Sequence, residues 1–281
     1  ASATIIIDQN GSVSIEKPYY TKISGNPDKL YYTEDNKANA EFLDDKVLSI
    51  ALESWSEISG EMSEVLGYID TPVMKKVVIS DNGATSGGNW ITGLMLRKMQ
   101  QYGCIAAFYN TGGIRTSFEI PEGETRRNIT VGDIYSINPF NNFWLVYELT
   151  GAELAQQLVN GFILKNYGDQ MSGLTFEYID HGTSDAPDIE IVSITLDDGT
   201  KVDINDTQKT YRICTSNYSG TLPGGVFENK TSIVSEGDAP VDNVTIIELL
   251  REEAKENNGY IAVDTSKRGI KAKENALADA A

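Results

Sequence analysis

The chain has 281 residues with a hydrophobic content of 40%, and its 23 basic and 41 acidic side chains give a net charge of −18. This hydrophobic content supports a sizeable folded core and excludes a wholly disordered chain. The acidic excess argues against nucleic-acid polymers as partners, because these require a basic track, and no apolar run approaches the ~18 residues of a membrane span.

The N-terminal segment predicts a small hairpin followed by a linker. Apolar residues within 5–7 and 13–15 flank Asn10-Gly11, which is a common hairpin turn. Residues 17–37 are polar and rich in turn formers, as is typical of a linker. We therefore expect residues 1–35 to form an N-terminal hairpin and linker remnant, and residues 36–281 to form the main domain.

Two amphipathic helices and two short strands are predicted between residues 43 and 103. Apolar residues recur at helical spacing from Leu43 to Ile58 and again from Trp90 to Met99, before Gly103 closes the second helix. Residues 65–69 and 75–79 are apolar runs of strand length. The glycine-rich segment 81–89 lacks a lysine and the spacing of a phosphate-binding loop, so a tight turn is the favoured interpretation.

A buried strand is predicted at residues 104–108, and a polar segment with two glycines follows it. Asn110, Gly112, Gly113 and Arg115 come directly after this strand. Glycines allow the backbone to turn tightly and to approach a ligand, and arginine supplies a planar fork of charged donors. The combination suits a small anionic or hydrogen-bonding ligand. Taken alone, it favours an ordinary strand-to-loop turn with a surface arginine.

Two residue pairs have the spacing of capping boxes, which start helices. Thr130 with Asp133 predicts a short helix at residues 131–137. Thr150 with Glu153 predicts a longer helix from 151 to 166, ended by Gly168. By residue type alone, these motifs serve mainly to start helices.

The C-terminal half is predicted to consist mainly of strands. These are residues 174–179, 189–196, 201–204 and 210–216, with a hairpin turn at Asp198-Gly199. Asp242 is expected to cap a further helix that runs through Leu250. Because helices and hairpin strands alternate irregularly, we expect an α+β (mixed α/β) fold in which mixed β-sheets are covered by helices.

Four motifs follow one another between residues 110 and 154. They read N-T-G-G-I-R at 110–115, I-T-V-G-D-I-Y at 129–135, P-F-N-N at 139–142 and L-T-G-A-E-L at 149–154. This succession closely resembles the C-terminal domain of the 5′-nucleotidase family. The resemblance extends more weakly from residue 40 to residue 272, where residues 259–261 and 268–270 are similar to the family's closing strands.

The resemblance implies a set of substrate-binding residues, namely Asn110, Gly112, Gly113, Arg115, Phe140, Asn142 and Tyr218. Two aromatics at the positions of Phe140 and Tyr218 sandwich the nucleobase in the family. Asn110 and Arg115 match residues that hold polar atoms of the nucleoside and of the phosphate side. By residue type alone, Phe140 and Tyr218 are simply core aromatics, and only the family pattern favours the binding interpretation.

Three positions depart from the family pattern. Gly83-Ala84 stands where an Arg and a Glu usually occur, Val226 stands where the family carries a ribose-binding Asp, and Thr111 replaces a common Gly. Nucleotide binding is therefore expected to be weakened, altered in specificity or lost.

The residue types needed for metal-dependent phosphoester hydrolysis are scarce in this sequence. A dinuclear metal site needs several His, Asp and Asn ligands, whereas the chain contains a single histidine, His181, in a turn-like run. We therefore predict no catalytic residue, no metal ligand and no cofactor in this chain. The resemblance implies that the dimetal site lies on an N-terminal metallophosphatase domain acting in cis.

The two cysteines, Cys104 and Cys214, each lie in an apolar, strand-like run. They either form a bridge or remain buried reduced thiols, and their surroundings favour the thiols. Neither has the spacing of a metal ligand.

These features lead to one main hypothesis and two alternatives. The main hypothesis is the substrate-binding domain of a 5′-nucleotidase-like phosphohydrolase, extracytoplasmic by resemblance, which captures a nucleoside or nucleotide in nucleotide catabolism and is inactive without its metal domain. The first alternative is a non-catalytic surface protein in which the nucleotide site has decayed. The second is a spacer or dimerisation domain.

Overall fold

The computed structural model describes residues 2–7, 13–19, 45–163, 168–183 and 185–272, and the chain divides into two units, Ala1–Ser59 and Gly60–Ala281. In the first unit, β1 (Ser2–Ile7) and β2 (Val13–Tyr19) pair antiparallel at the place where the sequence predicts a hairpin. The domain boundary predicted at residue 35 and most of the predicted linker lie outside the described residues.

Helix α1 (Asp45–Met62) runs across the division between the two units. Residues 45–58 of the predicted helix are helical, and its predicted residues before Asp45 lie outside the described part. The apolar side chains that repeat along it, such as Val47, Trp55 and Ile58, are 65%, 56% and 45% exposed. The described helix therefore presents its apolar face to solvent.

The described part of the second unit alternates helices and strands. Its strands are β3 (Val65–Ile69), β4 (Cys104–Tyr109), β5 (Arg127–Thr130), β6 (Trp144–Thr150), β7 (Gln170–Ser172), β8 (Leu174–Asp180), β9 (Ile189–Leu196), β10 (Lys201–Val202), β11 (Thr210–Ser216) and β12 (Gly269–Lys271). Its helices are α2 (Ser86–Met99), α3 (Val131–Ile137), α4 (Gly151–Ile163), α5 (Asn217–Gly220) and α6 (Asp242–Glu256).

The central sheet has the strand order β6-β11-β4-β7. β11 runs parallel to β4, with Thr215 paired to Phe108, and antiparallel to β6, with Ser216 paired to Trp144. A second sheet has the order β10-β9-β8-β12 and also mixes parallel and antiparallel pairs, while β3 pairs antiparallel with β5. The mixed sheets and their helices confirm the predicted α+β fold class.

Both faces of the central sheet are buried. On one face, Tyr109 and Trp144 belong to a first core cluster that includes apolar residues of α2 and α6. On the other face, Phe108 and Leu145 belong to a second core cluster with residues of α4, β8 and β9. Burial on two faces explains why β4 and β6 are almost continuously apolar instead of alternating with polar residues.

Capping boxes start α3 and α4, as predicted. The Thr130 hydroxyl accepts from the Asp133 N–H at 3.2 Å, and the Asp133 carboxylate accepts from the Thr130 N–H at 3.0 Å. Thr150 and Glu153 exchange the same two hydrogen bonds at 3.2 and 2.8 Å. These contacts satisfy backbone donors that a helix start otherwise leaves without a partner.

Helix α2 begins at Ser86, earlier than the predicted start at Trp90. Thr85 is its N-cap and accepts from the Gly88 N–H at 3.0 Å. Gly87 and Gly88 therefore lie in the first helical turn, whereas Gly83 lies in a turn before the helix, with a φ of +85°. A Cβ on Gly88 would overlap the side chain of Gln170, so close packing explains this glycine.

Residues 75–79 do not form the predicted strand. The chain there pairs only through isolated bridges, Val73 with Phe118 and Val78 with Thr85. Val78 is 59% exposed, so this apolar run lies at the surface and not inside a sheet.

Helix α6 differs from the prediction at its start. Val241 is the N-cap and makes no side-chain capping bond, whereas Asp242 is the first helical residue and accepts from the Asn243 N–H at 2.7 Å. The backbone explains this placement, because the Asp242 N–H donates to the Asn142 carbonyl at 2.9 Å.

Two predicted strands are shorter in the structure. The strand predicted at 201–204 ends at Val202, and residues 259–261 contribute a single bridge.

Cys104 and Cys214 lie on the neighbouring strands β4 and β11, and both are buried free thiols. The Cys214 thiol donates to the Ala106 carbonyl at 3.5 Å. Burial raises the pKa of Cys214 well above its usual value, so this thiol stays protonated. The prediction of two buried reduced thiols is confirmed.

Replacing Gly88 by alanine is expected to lower the free energy of unfolding by about 1–3 kcal/mol, because the new Cβ overlaps the buried Gln170 side chain that binds the start of α2. Urea unfolding followed by circular dichroism measures the change. Gly60→Ala is the matched control, since no atom lies within 4 Å of a Cβ at this position in α1. The control should leave stability unchanged or raise it by up to about 1 kcal/mol. Equal losses in both variants would contradict the packing explanation.

Candidate functional site

Three chain segments meet at one edge of the central sheet because of its strand directions. β4 and β11 are parallel, so the residues that follow them, Asn110 and Asn217, leave the sheet on the same side. β6 is antiparallel to β11, so residues 138–143 enter the sheet from that side. The carboxyl ends of parallel strands are a common place for ligand sites.

A cavity of about 270 Å³ lies at this edge, close to the lower end of the range of roughly 300–1,000 Å³ of small-molecule sites. Its lining comprises the residues that the resemblance implies, namely Asn110, Gly112, Gly113, Arg115, Phe140, Asn142 and Tyr218. The structure therefore brings the whole predicted set together around one opening. Arg115 is the charged side chain in this lining.

Phe140 and Tyr218 contribute aromatic surface to the cavity. Phe140 is 50% exposed and Tyr218 is 44% exposed, whereas Phe108 in the core is completely buried. The interpretation of this pair as core aromatics is therefore wrong. Two half-exposed rings on one cavity are typical of a surface that a ligand covers.

Helix α5 holds Tyr218 at the end of β11. Ser216 caps this helix by accepting from the Ser219 N–H at 3.2 Å. Asn217 and Phe143 form a reciprocal pair: the Asn217 N–H donates to the Phe143 carbonyl at 2.8 Å, and the Phe143 N–H donates to the Asn217 side chain at 3.0 Å. These bonds fix the Tyr218 segment to the segment that carries Phe140.

The loop after β4 supplies backbone to the cavity wall. Asn110 is 4% exposed and precedes a 3₁₀ turn, Thr111–Gly113. A Cβ on Gly113 would press against the Tyr109 ring, so this close approach requires glycine. The Arg115 N–H donates to the Ile137 carbonyl at 2.9 Å, which ties the end of the loop to α3.

Arg115 reaches across the cavity towards Phe140. Its guanidinium carbon lies 5.7 Å from the centroid of the Phe140 ring, within the range of a cation–π contact. One guanidinium nitrogen donates to the Gly112 carbonyl at 3.1 Å. A guanidinium has five N–H donors, so most of them remain available to a ligand.

Asp169 and Gln170 form hydrogen bonds to the loop that follows β4. The Asp169 carboxylate accepts from the Thr111 N–H at 2.8 Å and from the Thr111 hydroxyl. The Gln170 amide donates to the Thr111 hydroxyl oxygen at 2.8 Å and accepts from the Thr85 N–H at 2.9 Å. Thr111, the residue that replaces a common Gly, thus anchors the loop to α2. No sequence motif marks Asp169 or Gln170.

Two positions where the resemblance implies ligand contacts are occupied by structural contacts. The Gly83 carbonyl accepts from the Gln170 amide at 3.3 Å, and Ala84 is completely buried. Val226 packs against the second core cluster, next to Phe227. Ala84 and Val226 therefore contribute to packing, whereas a Cβ on Gly83 would meet no atom within 4 Å.

A buried carboxylate lies next to the cavity. Asp242 is completely buried, and its backbone binds Asn142 of the cavity lining. Burial raises the pKa of Asp242 to about 6, although the hydrogen bond from the Asn243 N–H and the nearby amides of Asn138 and Asn142 offset part of this effect. Among the described residues no basic side chain forms an ion pair with it. From the sequence, Asp242 is recognisable only as a residue at a helix start.

The Tyr109 hydroxyl belongs to the same buried cluster. It donates to the Asn138 side-chain oxygen at 3.2 Å. Burial and then the charge of Asp242 raise the pKa of Tyr109, so this phenol stays protonated and acts as a donor. Tyr109 therefore supports both Gly113 and Asn138 beneath the cavity wall.

Within the described ranges, no group of three or more His, Cys, Asp and Glu side chains is arranged to hold a metal ion. His181 follows β8 of the second sheet, where its ring lies 2.7 Å from Glu190.

None of the helices in the described ranges combines the length and hydrophobicity that a bilayer span requires.

Comparison with protein families matches residues 65–228 to the model described as 5′-nucleotidase, C-terminal domain. The match includes every residue that lines the cavity. It begins at β3 and ends after Phe227, so it covers the central sheet and most of the second sheet.

Two curated relatives are similar in sequence. The chain is 25% identical over 216 residues to cell wall protein Lmo0130 of Listeria monocytogenes, covering 74% of this chain and 27% of that protein. It is 28% identical over 172 residues to trifunctional nucleotide phosphoesterase protein YfkN of Bacillus subtilis, covering 59% of this chain and 11% of that protein. The chain thus spans a minor part of each relative's length.

Among solved structures, the 5′-nucleotidase precursor of Thermus thermophilus is similar in fold. It superposes with a TM-score of 0.59 and 21% sequence identity, covering 97% of this chain and 54% of that chain. At this identity the similarity shows the fold alone.

Asp242→Asn is expected to change how stability depends on pH. The pKa of about 6 in the folded protein lies above the value of ~3.9 for an unfolded Asp, so the folded state binds the proton more tightly. The contribution of Asp242 to the free energy of unfolding is therefore highest at low pH and falls as the pH rises through 6. Between pH 5 and pH 8, the wild type should lose roughly 1–1.5 kcal/mol relative to the variant.

Urea unfolding at several pH values measures this difference. Asp206→Asn is the control, because backbone N–H groups of Gln208 and Lys209 lower the pKa of Asp206 and place its titration below this pH range. Its stability difference from the wild type should stay constant from pH 5 to pH 8. A constant difference for Asp242→Asn as well would show that Asp242 does not titrate as inferred.

Proposed function

The chain belongs to the 5′-nucleotidase C-terminal domain family, and from this membership we propose that its cavity binds a nucleoside or nucleotide. In this proposal the chain is the substrate-binding domain of a phosphohydrolase that acts in nucleotide catabolism. One curated relative is named a trifunctional nucleotide phosphoesterase, and one structural neighbour is a 5′-nucleotidase precursor. These names support the proposal.

The observation that carries the proposal is the pair of half-exposed rings, Phe140 and Tyr218, on one cavity. Stacking a base on an aromatic ring contributes ~1–3 kcal/mol, largely independent of the base. Two such rings and a few hydrogen bonds act against the cost of association. We expect dissociation constants on the order of micromolar to millimolar.

The remaining lining residues complete the proposed site. Asn110 and Asn142 present amides that both donate and accept, as the edges of a base or a sugar require. Arg115 presents its charged guanidinium donors to the phosphate end of the nucleotide. The glycines at 112 and 113 let the backbone come close to the ligand.

We assign the hydrolytic chemistry to a different domain. A dimetal site on a metallophosphatase domain in cis would activate water and stabilise the charge of the phosphoryl group. The single histidine of this chain supports this division, since a dinuclear site draws on several His ligands. We also propose an extracytoplasmic location, which the name of the cell wall protein among the relatives supports.

A second candidate function is a non-catalytic surface protein in which the same cavity recognises another ligand. The contacts of Ala84 and Val226 favour it, because both side chains are packed at positions where the resemblance implies an Arg-Glu pair and a ribose-binding Asp. The two candidates differ in whether nucleosides bind.

Titration calorimetry with adenosine, AMP and UMP is expected to show binding by the intact chain. Phe140→Ala and Tyr218→Ala should each weaken it by about 5–150-fold, which corresponds to losing one stacking contact of about 1–3 kcal/mol. Phe140→Trp keeps an aromatic face and should bind like the wild type.

Trp55→Ala is the control for these variants, because Trp55 is 56% exposed but stands in α1, outside the cavity lining. It should leave the affinity unchanged. If no nucleoside produces heat, or if Phe140→Ala binds as the wild type does, the nucleotide function is excluded and the second candidate is favoured.

Incubation of the intact chain with AMP and Mn²⁺ or Zn²⁺ is expected to release no phosphate above a protein-free blank. The physical reason is that one histidine cannot build the ligand set of a dinuclear hydrolytic site. A colorimetric phosphate assay measures the product. Metal-dependent release that scales with protein concentration would overturn the assignment of catalysis to another domain.

A further inference from the structure

Asp242 lies against the segment that leads into β6. Its N–H donates to the Asn142 carbonyl at 2.9 Å, and the Asn243 side-chain amide donates to the Asn141 side-chain oxygen at 2.5 Å. Asn142 lines the cavity, whereas Asp242 is completely buried. The carboxylate therefore lies beneath the cavity wall and is fixed to it through the backbone of Asn142.

The Asp242 carboxylate has few partners for a buried charge. One of its oxygens accepts from the Asn243 N–H at 2.7 Å. The other, Oδ2, is buried and accepts no hydrogen bond from the described residues, and the buried Nδ2 of Asn138 donates none within the same part of the chain. Burying polar atoms in this way costs free energy, so the state of this carboxylate is sensitive to a change at the neighbouring cavity.

Two amides and one phenol face this carboxylate. Burial raises the pKa of Asp242 to about 6, and the nearby amides of Asn138 and Asn142 lower it in part. The same two amides lie near the Tyr109 hydroxyl, which donates to the Asn138 side-chain oxygen at 3.2 Å. The Asn142 side chain therefore stands between this buried cluster and the cavity that it lines.

The protonation state of a carboxyl group decides which atom of a neighbouring amide it binds. An ionised carboxylate only accepts hydrogen bonds, so it attracts the N–H₂ group of the amide. A protonated carboxyl group also donates, so it can bind the amide oxygen instead. An amide between a carboxyl group and a cavity therefore presents different atoms to the cavity in the two states.

We propose that Asp242 is a positioning residue that orients the Asn142 side chain in the cavity. In its charged form Asp242 attracts the N–H₂ group of Asn142, so that the side-chain oxygen faces the cavity and accepts a hydrogen bond from an amino group or a hydroxyl of the ligand. In its protonated form Asp242 competes for that oxygen. The inference rests on the proposed function and deepens it, because it makes nucleoside binding depend on pH.

Asp242 is the group of this cluster whose charge changes between pH 5 and pH 8. Burial and then the charge of Asp242 raise the pKa of Tyr109, so the phenol stays protonated, and the amides of Asn138, Asn142 and Asn243 carry no charge. No basic side chain of the described residues forms an ion pair with Asp242. A ligand that needs the Asn142 oxygen favours charged Asp242 and lowers its pKa, so by linkage it binds more tightly as the pH rises through 6.

Titration calorimetry of the intact chain with adenosine from pH 5 to pH 8 tests this role, because adenosine carries no group that titrates in this range. The wild type is expected to bind about three- to fivefold more tightly at pH 8 than at pH 5, which corresponds to a decrease of ~0.5–1 in the pKa of Asp242 on binding. Asp242→Asn cannot change its charge and should bind equally well at every pH. Asn142→Ala should bind more weakly than the wild type and without pH dependence.

Calorimetry at pH 6 in buffers of different ionisation enthalpy measures the protons that binding releases. The wild type should release about 0.3 of a proton per adenosine, because binding shifts Asp242 towards its charged form. Asp242→Asn and Asn142→Ala should release none. A purely structural role of Asp242 would change the affinity without any release of protons.

His181→Gln is the control for the pH profile. Histidine ordinarily titrates near pH ~6.5, and the single histidine of this chain lies beside Glu190 at the second sheet. This variant should keep the pH dependence and the proton release of the wild type.

Three results would overturn the positioning role while nucleoside binding stands. They are a constant affinity of the wild type from pH 5 to pH 8, a pH dependence that persists in Asp242→Asn or Asn142→Ala, and a loss of the pH dependence in His181→Gln. If Asp242→Asn does not fold, the wild type and Asn142→Ala decide by the same criteria. Absence of adenosine binding at every pH would overturn both the nucleoside function and this inference.

Discussion

The parallel pairing of β4 with β11 is the constraint on which the candidate site depends. It brings the two strand ends to one edge, and the antiparallel neighbour β6 delivers the third segment there. Side chains alternate between the faces of a sheet, so a shift by one residue would move Tyr109 from the first core cluster to the second. The ring that supports Gly113 and Asn138 would then be lost from beneath the cavity.

Buried polar side chains convert this topology into a defined site. Gln170 is completely buried and joins the start of α2 to the loop after β4. Asp242 is buried at the start of α6, where its backbone binds Asn142. Burying polar groups costs free energy unless they find partners, so these residues constrain the surrounding chain to few arrangements. The exposed rings of Phe140 and Tyr218 therefore stand on a rigid support.

The cavity differs in charge from the rest of the molecule. A net charge of −18 argues against polyanions as partners, yet Arg115 in the cavity lining forms no ion pair with a carboxylate in the described part of the chain. A local positive field inside an acidic protein acts only over a short distance, because salt screens it within about 8–10 Å. Such a field suits a small anion that enters the cavity and does not attract an extended one.

The sequence by itself determined the features that depend on neighbouring residues. Thr130 and Thr150 mark helix starts because a capping box closes within one turn, and the apolar runs of β4 and β11 mark strands buried on both faces. The resemblance to a known family also implied the residues that line the cavity. Only the tertiary structure decided what depends on distant residues. Position 88 must be glycine because Gln170 packs against it, residues 75–79 lie at the surface instead of joining a sheet, and the strand ends that carry Asn110 and Tyr218 meet through the pairing of β4 with β11. Local sequence patterns do not encode such contacts, because the free energy that selects them arises between segments far apart in the chain.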